Sequence, residues 1–217
     1  MDFYFGRLSG NSTRSAFALC EAGIPFTPHP VGTPQGENRQ APYLALNPMG
    51  KVPALVDGDV RLWESNAINW YIAEKHPETR LLPPSLAGRA SVQRWLMFQA
   101  GHVSPASVTI FRKTNQRIRA FWKTDADPKA VEAAEEELGR YLAVLEQALV
   151  GRDWLEGDFS LADVAYAPHF AALAEGKDGR PGFDFSATPN VRAWLERLWA
   201  RPAWKRAAEM AFSGRAE

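Results

Sequence analysis

Two short stretches of this 217-residue chain carry residue types whose order can do chemistry. The first is Asn47-Pro48-Met49-Gly50-Lys51-Val52-Pro53, which opens an apolar run, Ala54-Leu55-Val56. Pro53 has no N–H to give to a sheet ladder, so a proline at the mouth of a strand needs another purpose. A cis Val52–Pro53 bond supplies one, because it turns the backbone so that Val52 offers its own N–H and C=O outward. The second stretch is Val60-Arg61-Leu62-Trp63-Glu64-Ser65, where an acid and a hydroxyl open a helix. Together they suit an extended, peptide-like ligand, held along its backbone by Val52 and at one end by Glu64 and Ser65.

The elements that must position these residues follow from local patterns. Phe3-Tyr4-Phe5 is aromatic and strand-like. Gly10-Asn11-Ser12-Thr13 gives turn and cap chemistry before an amphipathic helix with Ala16, Phe17 and Cys20 on one face. Gly23 fits the residue after that helix, and Pro25 blocks its continuation. Phe26 to Val31 reads as an edge strand, because Pro28 and Pro30 lie in it. Thr33 to Gln40 reads as a loop and Ala41 to Leu46 as a short helix. The runs 53–56 and 60–63 flank Asp57-Gly58-Asp59, a hairpin signal. Ser65 starts a helix with Ile68, Tyr71 and Ile72 on one side. The order is βαβαββα; its first half requires a right-handed crossover and a parallel pair.

Residues 79–87, with Pro83-Pro84, read as a linker between a first domain, 1–78, and a second, 88–217. Beyond the linker the spacing is helical throughout. Val92, Trp95 and Leu96 open a long helix reaching towards Trp122. Val131, Ala134, Leu138, Leu142, Leu145 and Leu149 keep a helical period, and Val191, Trp194, Leu195, Leu198 and Trp199 mark a core-facing helix. Ser160-Leu161-Ala162-Asp163 is a capping box whose role is folding.

Composition narrows the function. Lysine plus arginine equals aspartate plus glutamate, 25 each, so net charge makes no case for nucleic acid or a membrane surface. Met1 to Gly6 shows no basic leader followed by an apolar stretch, and no run approaches a membrane span, so a cytoplasmic location is expected. One cysteine, Cys20, and four scattered histidines offer neither an internal disulfide nor metal-ligand spacing. The eight tryptophans are expected mainly to pack helices together. Arg112, Lys113, Arg117, Arg119 and Lys123 read as a solvated helix face; the functional alternative is a guide for an anionic substrate or a second copy of the ligand.

The N-terminal strand and loop, Gly50-Lys51-Val52-Pro53, Glu64-Ser65, the linker and the Ser160 box, in this order and across almost the whole chain, resemble the glutathione S-transferase family. The resemblance implies a thioredoxin-like α/β N-terminal domain, an all-α C-terminal domain and a homodimer. It implies glutathione as co-substrate with no metal, and a small hydrophobic electrophile or a disulfide as second substrate. In the family, the counterpart of Val52, before Pro53, pairs with the cysteinyl backbone of glutathione. Those of Glu64 and Ser65 hold the γ-glutamyl end, and that of Lys51 lies near the glycyl carboxylate. Many relatives carry a histidine where this chain has Asn38, which is carried over as a neutral donor to the same carboxylate.

Glutathione's thiol is mostly protonated at neutral pH, so the protein must favour the thiolate. A hydroxyl or amide at a helix N-terminus can do this. The loop Leu8-Ser9-Gly10-Asn11-Ser12-Thr13-Arg14 resembles bacterial serine-type transferases, including a nu-like group. That assigns Ser9 as thiolate donor and Asn11 as second donor, with Ser12, Thr13 and Tyr4 as rivals. Cys20 reads as a packed thiol. Three activities stay open: glutathione conjugation, reduction of disulfides or peroxides without a catalytic cysteine, and a non-enzymatic binding module.

Overall fold

The computed structural model describes residues 1–114, 127–174 and 183–212. Two compact units emerge, one formed by Met1–Pro84 together with the segment from Ala200 onward, the other by Ser85–Trp199.

The first unit is built on a four-stranded sheet of order β2-β1-β3-β4, with β1 at Asp2–Phe5, β2 at Thr27–Pro30, β3 at Ala54–Asp57 and β4 at Val60–Trp63. Strand β1 runs parallel to β2 and antiparallel to β3, and β3 pairs antiparallel with β4. The two prolines of β2 sit at a sheet edge, where a missing donor is tolerated. Gly58 takes φ 60° at the β3–β4 turn, as a tight Asp-Gly hairpin demands. Helix α1 (Gly10–Ala22) crosses between β1 and β2 and ends at Gly23 in the left-handed conformation. A single short turn (Glu37–Arg39) interrupts the expected loop 33–40, and α2 covers Ala41–Leu44, shorter than the 41–46 span expected. Helix α3 runs Ser65–Lys75. Phe3, Phe17, Leu19, Leu55, Ile68 and Ile72 are fully buried between these elements. Each such side chain contributes about 1.5–3 kcal/mol when taken out of water.

The second unit is helical among the described residues. Helix α4 (Leu86–Phe98) passes through a π-helical turn, Gln99–Val103, directly into α5 (Ser104–Thr114). Then come α6 (Pro128–Ala148), α7 (Leu161–Val164), α8 (Ala167–Ala174) and α9 (Pro189–Ala200). Leu138, Leu145, Tyr166, Phe170 and Trp194 form its core. The continuation of the long helix towards Trp122 lies outside the described residues, as do Arg117, Arg119 and Lys123; Arg112 and Lys113 sit on the last turn of α5.

Two boundaries need correcting. Ser85 caps α4 by accepting the Gly88 N–H, so the linker expected at 79–87 ends in helix. The last helix, α10 (Pro202–Phe212), belongs with the first unit rather than with the helical domain expected over 88–217. The reason is packing on α1. Trp204 meets Phe17 edge-on, Arg201 pairs with Glu21, Arg206 donates to the Cys20 carbonyl, and the Leu8 N–H donates to the Ala211 carbonyl.

Candidate functional site

The residues singled out from the sequence for the glutathione site lie in the first unit: Ser9 and Asn11 at the start of α1, Asn38 in the short turn Glu37–Arg39, Lys51 to Pro53 in the loop before β3, and Glu64 and Ser65 at the start of α3. Gly6 makes the β1–α1 loop and the loop before β3 adjacent. A Cβ there would stand 2.6 Å from Val52 Cγ2, so only glycine allows this approach.

The loop before β3 is pinned by side chains acting on successive carbonyls. Asn38 Nδ2 donates to the Gly50 carbonyl at 2.6 Å. Tyr43 Oη and Asn47 Nδ2 both donate to the Lys51 carbonyl at 2.6 Å, and Asn47 Oδ1 accepts the Met49 N–H at 3.0 Å. Burial drives the Tyr43 phenol well above its ordinary range, with Asn47 opposing, so it remains a donor. Gly50 takes φ 59° and the Val52–Pro53 bond is cis. Among the described residues neither the N–H nor the C=O of Val52 has a hydrogen-bond partner, and Lys51 is exposed beside it. A buried Pro53 leads into β3. Asn38 has a structural contact of its own. Its amide Nδ2 donates to the Gly50 carbonyl and so braces the loop, and among the described residues its buried Oδ1 has no partner.

Glu64 precedes α3 with φ 68° and ψ 112°, a sparsely populated conformation for a side-chain-bearing residue, and its carboxylate is exposed. That kink delivers Ser65 to the first position of α3, where backbone N–H groups lack intrahelical partners. Ser65 is buried; its Oγ accepts from Arg14 Nη1 at 3.0 Å, and its carbonyl accepts from Ser15 Oγ at 3.3 Å.

In the β1–α1 loop Ser9 is the N-cap of α1. Its Oγ accepts the Ser12 N–H at 3.2 Å, which leaves its own proton for an outside acceptor. Asn11 is exposed one residue into the helix. The rivals are engaged elsewhere. Ser12 is buried and accepts the Gly6 N–H at 3.1 Å, and Thr13 is buried and donates to the Ser9 carbonyl at 3.0 Å. The Tyr4 ring stacks on His29, with centroids 4.7 Å apart, as a strand aromatic. Burial raises the Cys20 thiol, the opposite of activation.

The arrangement can therefore bind an extended backbone at Val52, receive an anionic group at Ser65 and the start of α3, and donate a hydrogen bond to an anion at Ser9. Sequence reasoning missed the braces: Tyr43, Asn47 and Arg14. Asn47 stood in the quoted loop motif and Arg14 in the catalytic loop. Tyr43 carried no signal beyond an apolar position in a short helix.

Comparison with known proteins points to one family. The model described as "Glutathione S-transferase, N-terminal domain" matches residues 8–75, and "Glutathione S-transferase, C-terminal domain" matches residues 102–202. Glutathione S-transferase 3 of Zea mays is 40% identical, over 92% of this chain and 89% of its own length. Glutathione S-transferase F10 of Arabidopsis thaliana is 35% identical, over 93% of both. The crystal structure of glutathione transferase F2 from Populus trichocarpa superposes with a TM-score of 0.88 at 30% identity, covering 98% of this chain and 99% of that one. These relatives are plant enzymes and lend no support to the nu-like bacterial subtype expected from the Ser9 loop. With both domain models matched and a relative 40% identical over nearly its full length, the chain belongs to the glutathione S-transferase family.

Proposed function

We propose that the chain holds glutathione in extended form across the first unit and conjugates its thiolate to a small electrophile. The cysteinyl backbone pairs with the N–H and C=O of Val52 as a short antiparallel ladder. The γ-glutamyl ammonium meets Glu64, and its carboxylate meets Ser65 and the N-terminal turn of α3. Lys51 faces the glycyl carboxylate. The Ser9 hydroxyl, already accepting from the Ser12 N–H, donates to the sulfur, with Asn11 as a second donor. The thiolate then attacks the electrophilic carbon, the leaving group departs with its electron pair, and glutathione becomes a thioether. Within the family, the plant relatives favour the Phi class. A cytosolic homodimer acting in detoxification fits the same reading.

The observation that carries this reading is Val52. Three side-chain donors fix the two carbonyls before it, yet its own backbone groups are left unpaired. A calorimetric titration with glutathione, followed by assays with an aryl halide, a mixed disulfide and a hydroperoxide, tests it. Saturable binding with aryl-halide conjugation is expected. Turnover of the disulfide without conjugation transfers the assignment to a glutathione-dependent reductase, and absence of binding sinks both.

A further inference from the structure

Helix α1 contributes more to the site than its capping serine. Five residues beyond Ser9 the chain places Arg14, a guanidinium only 3% exposed inside the first unit. Its Nη1 reaches across to α3, donating to Ser65 Oγ at 3.0 Å and to Asn66 Oδ1 at 3.3 Å. A serine hydroxyl has one proton and two lone pairs. Once a lone pair of Ser65 accepts from a guanidinium, the hydroxyl rotor is set and its proton points away from Arg14. Among the described residues that proton has no acceptor. Next to it lies the first turn of α3, where helix geometry gives the backbone N–H groups no intrahelical acceptor.

We infer that Arg14 is a positioning residue for substrate recognition: it orients the Ser65 hydroxyl, and through Asn66 the first turn of α3, to donate to the α-carboxylate of the γ-glutamyl group. The inference rests on the glutathione reading above and deepens it. Arg14 touches no ligand atom in this arrangement; it acts through Ser65, and its charge strengthens the donor by polarising the O–H. The same helix that ends at the thiol with Ser9 thereby reads the opposite end of the ligand with Arg14.

Two thiols separate this role from a merely structural one. Glutathione carries the γ-glutamyl carboxylate; cysteinylglycine keeps the thiol, the cysteinyl backbone and the glycyl carboxylate but lacks that group. The full chain is assayed with an aryl halide and each thiol, and the ratio of kcat/KM values is taken. Arg14→Met, of similar length but without donors, should lower the glutathione-to-cysteinylglycine ratio about 10-fold or more, through KM for glutathione, and Arg14→Lys should restore part of it. In the Ser65→Ala background, Arg14→Met should change the ratio less than 2-fold. Ser15→Ala is the packing control. It removes the hydrogen bond from Ser15 Oγ to the Ser65 carbonyl and should lower the melting temperature without moving the ratio.

If Ser65→Ala lowers the ratio and Arg14→Met does not, the inference is wrong while the glutathione reading stands. If neither variant moves the ratio, the assignment of Ser65 to the γ-glutamyl end falls and the inference with it. Should Arg14→Met fail to fold, Arg14→Lys alone decides. Lysine cannot reach both Ser65 and Asn66 in the guanidinium geometry, so an unchanged ratio in that variant overturns the proposal.

Discussion

Ser9, Ser85 and Ser160 each cap a helix in this protein, and comparing Ser9 with Ser160 sets a cap for which a chemical role is proposed beside one that serves folding. Ser9 caps α1 and Ser160 caps α7; both have extended backbones, and both accept a helix N–H on Oγ. At Ser160 the third helical residue is Asp163, fully buried, which closes the box. Its carboxylate accepts from the Ser160 N–H at 2.9 Å, the Leu155 N–H at 3.0 Å, Trp194 Nε1 at 2.9 Å and Ser160 Oγ at 3.4 Å. At Ser9 the third residue is Ser12, and the first turn of α1 carries no acid. The helix start in the second unit carries its own carboxylate, whereas at the start of α1 the Ser9 N–H donates to the Gly6 carbonyl at 3.4 Å and the first turn brings no negative charge. In the proposed function a thiolate would accept from the Ser9 hydroxyl as the Asp163 carboxylate does from Ser160 Oγ.

The largest effect is expected where the box is broken. Asp163→Ala strands the buried N–H groups of Leu155, Ser160 and Trp194 together, and should cost about 3–5 kcal/mol of stability. A denaturant titration measures it, and a loss under 1 kcal/mol would show that the two caps are not opposites. At Ser9 the balance should reverse. Ser9→Ala removes a cap at a cost of about 1 kcal/mol. The loss of thiolate stabilisation should lower kcat/KM for glutathione about 30- to 100-fold at neutral pH, with a raised pKa of the bound thiol followed by its ultraviolet absorbance. An unchanged thiol pKa would move the donor role from Ser9 to Asn11.

A smaller effect comes from proton linkage at Asp163. Burial pushes its carboxyl up to about 6, against the four hydrogen bonds that lower it. A folded-state value above the ordinary 3.8 means that the folded chain holds the extra proton between roughly pH 4 and 6. Stability therefore declines as pH rises through that window, by about 1–2 kcal/mol, and stays lower above it. The Asp57 carboxyl shifts the other way, lowered by Lys75 and Tyr71, and its contribution is lost only at more acid pH. Melting temperatures at pH 5 and 7.5 isolate the Asp163 window; a higher value at pH 7.5 would mean that the hydrogen bonds outweigh burial.

The contrast also marks what the sequence could reveal. Both caps were legible because capping is local: Ser160 and Asp163 are three residues apart, and Ser9 stands immediately before its helix. The sheet was legible for the same reason, from aromatic β1, the prolines of β2 and the Asp57-Gly58 turn. The bracing was not. Tyr43 reaches the Lys51 carbonyl from a helix that reads as filler, and Arg14 meets Ser65 across 51 positions of sequence. Asn38 has the chemistry to meet a carboxylate, but its donation to the Gly50 carbonyl, 12 positions on, could not be read from local spacing. Helix α10 failed at the level of units. Its buried face, Ala203, Trp204, Ala207 and Ala211, would suit any core, and only the fold pairs Trp204 with Phe17.

The smallest effect sharpens the comparison by asking where the backbone is strained. Leu8, immediately before Ser9, takes φ 61° although it carries a side chain 52% exposed. A left-handed leucine costs about 1–2 kcal/mol, and glycine would remove that cost while adding about 0.5–1 kcal/mol of unfolded-state entropy. Leu8→Gly should therefore stabilise the chain by less than about 1 kcal/mol. Arg80 is the control: φ 57°, exposed, and remote in sequence from every residue of the site. Arg80→Gly should give the same small rise in melting temperature with unchanged kinetics. Leu8→Gly should lower kcat about 2-fold, because the residue that aims the Ser9 hydroxyl then samples more conformations. If both variants leave kcat untouched, the strain at Leu8 belongs to the turn alone, and the openness of the α1 cap rests on the missing acid and not on the backbone that presents it.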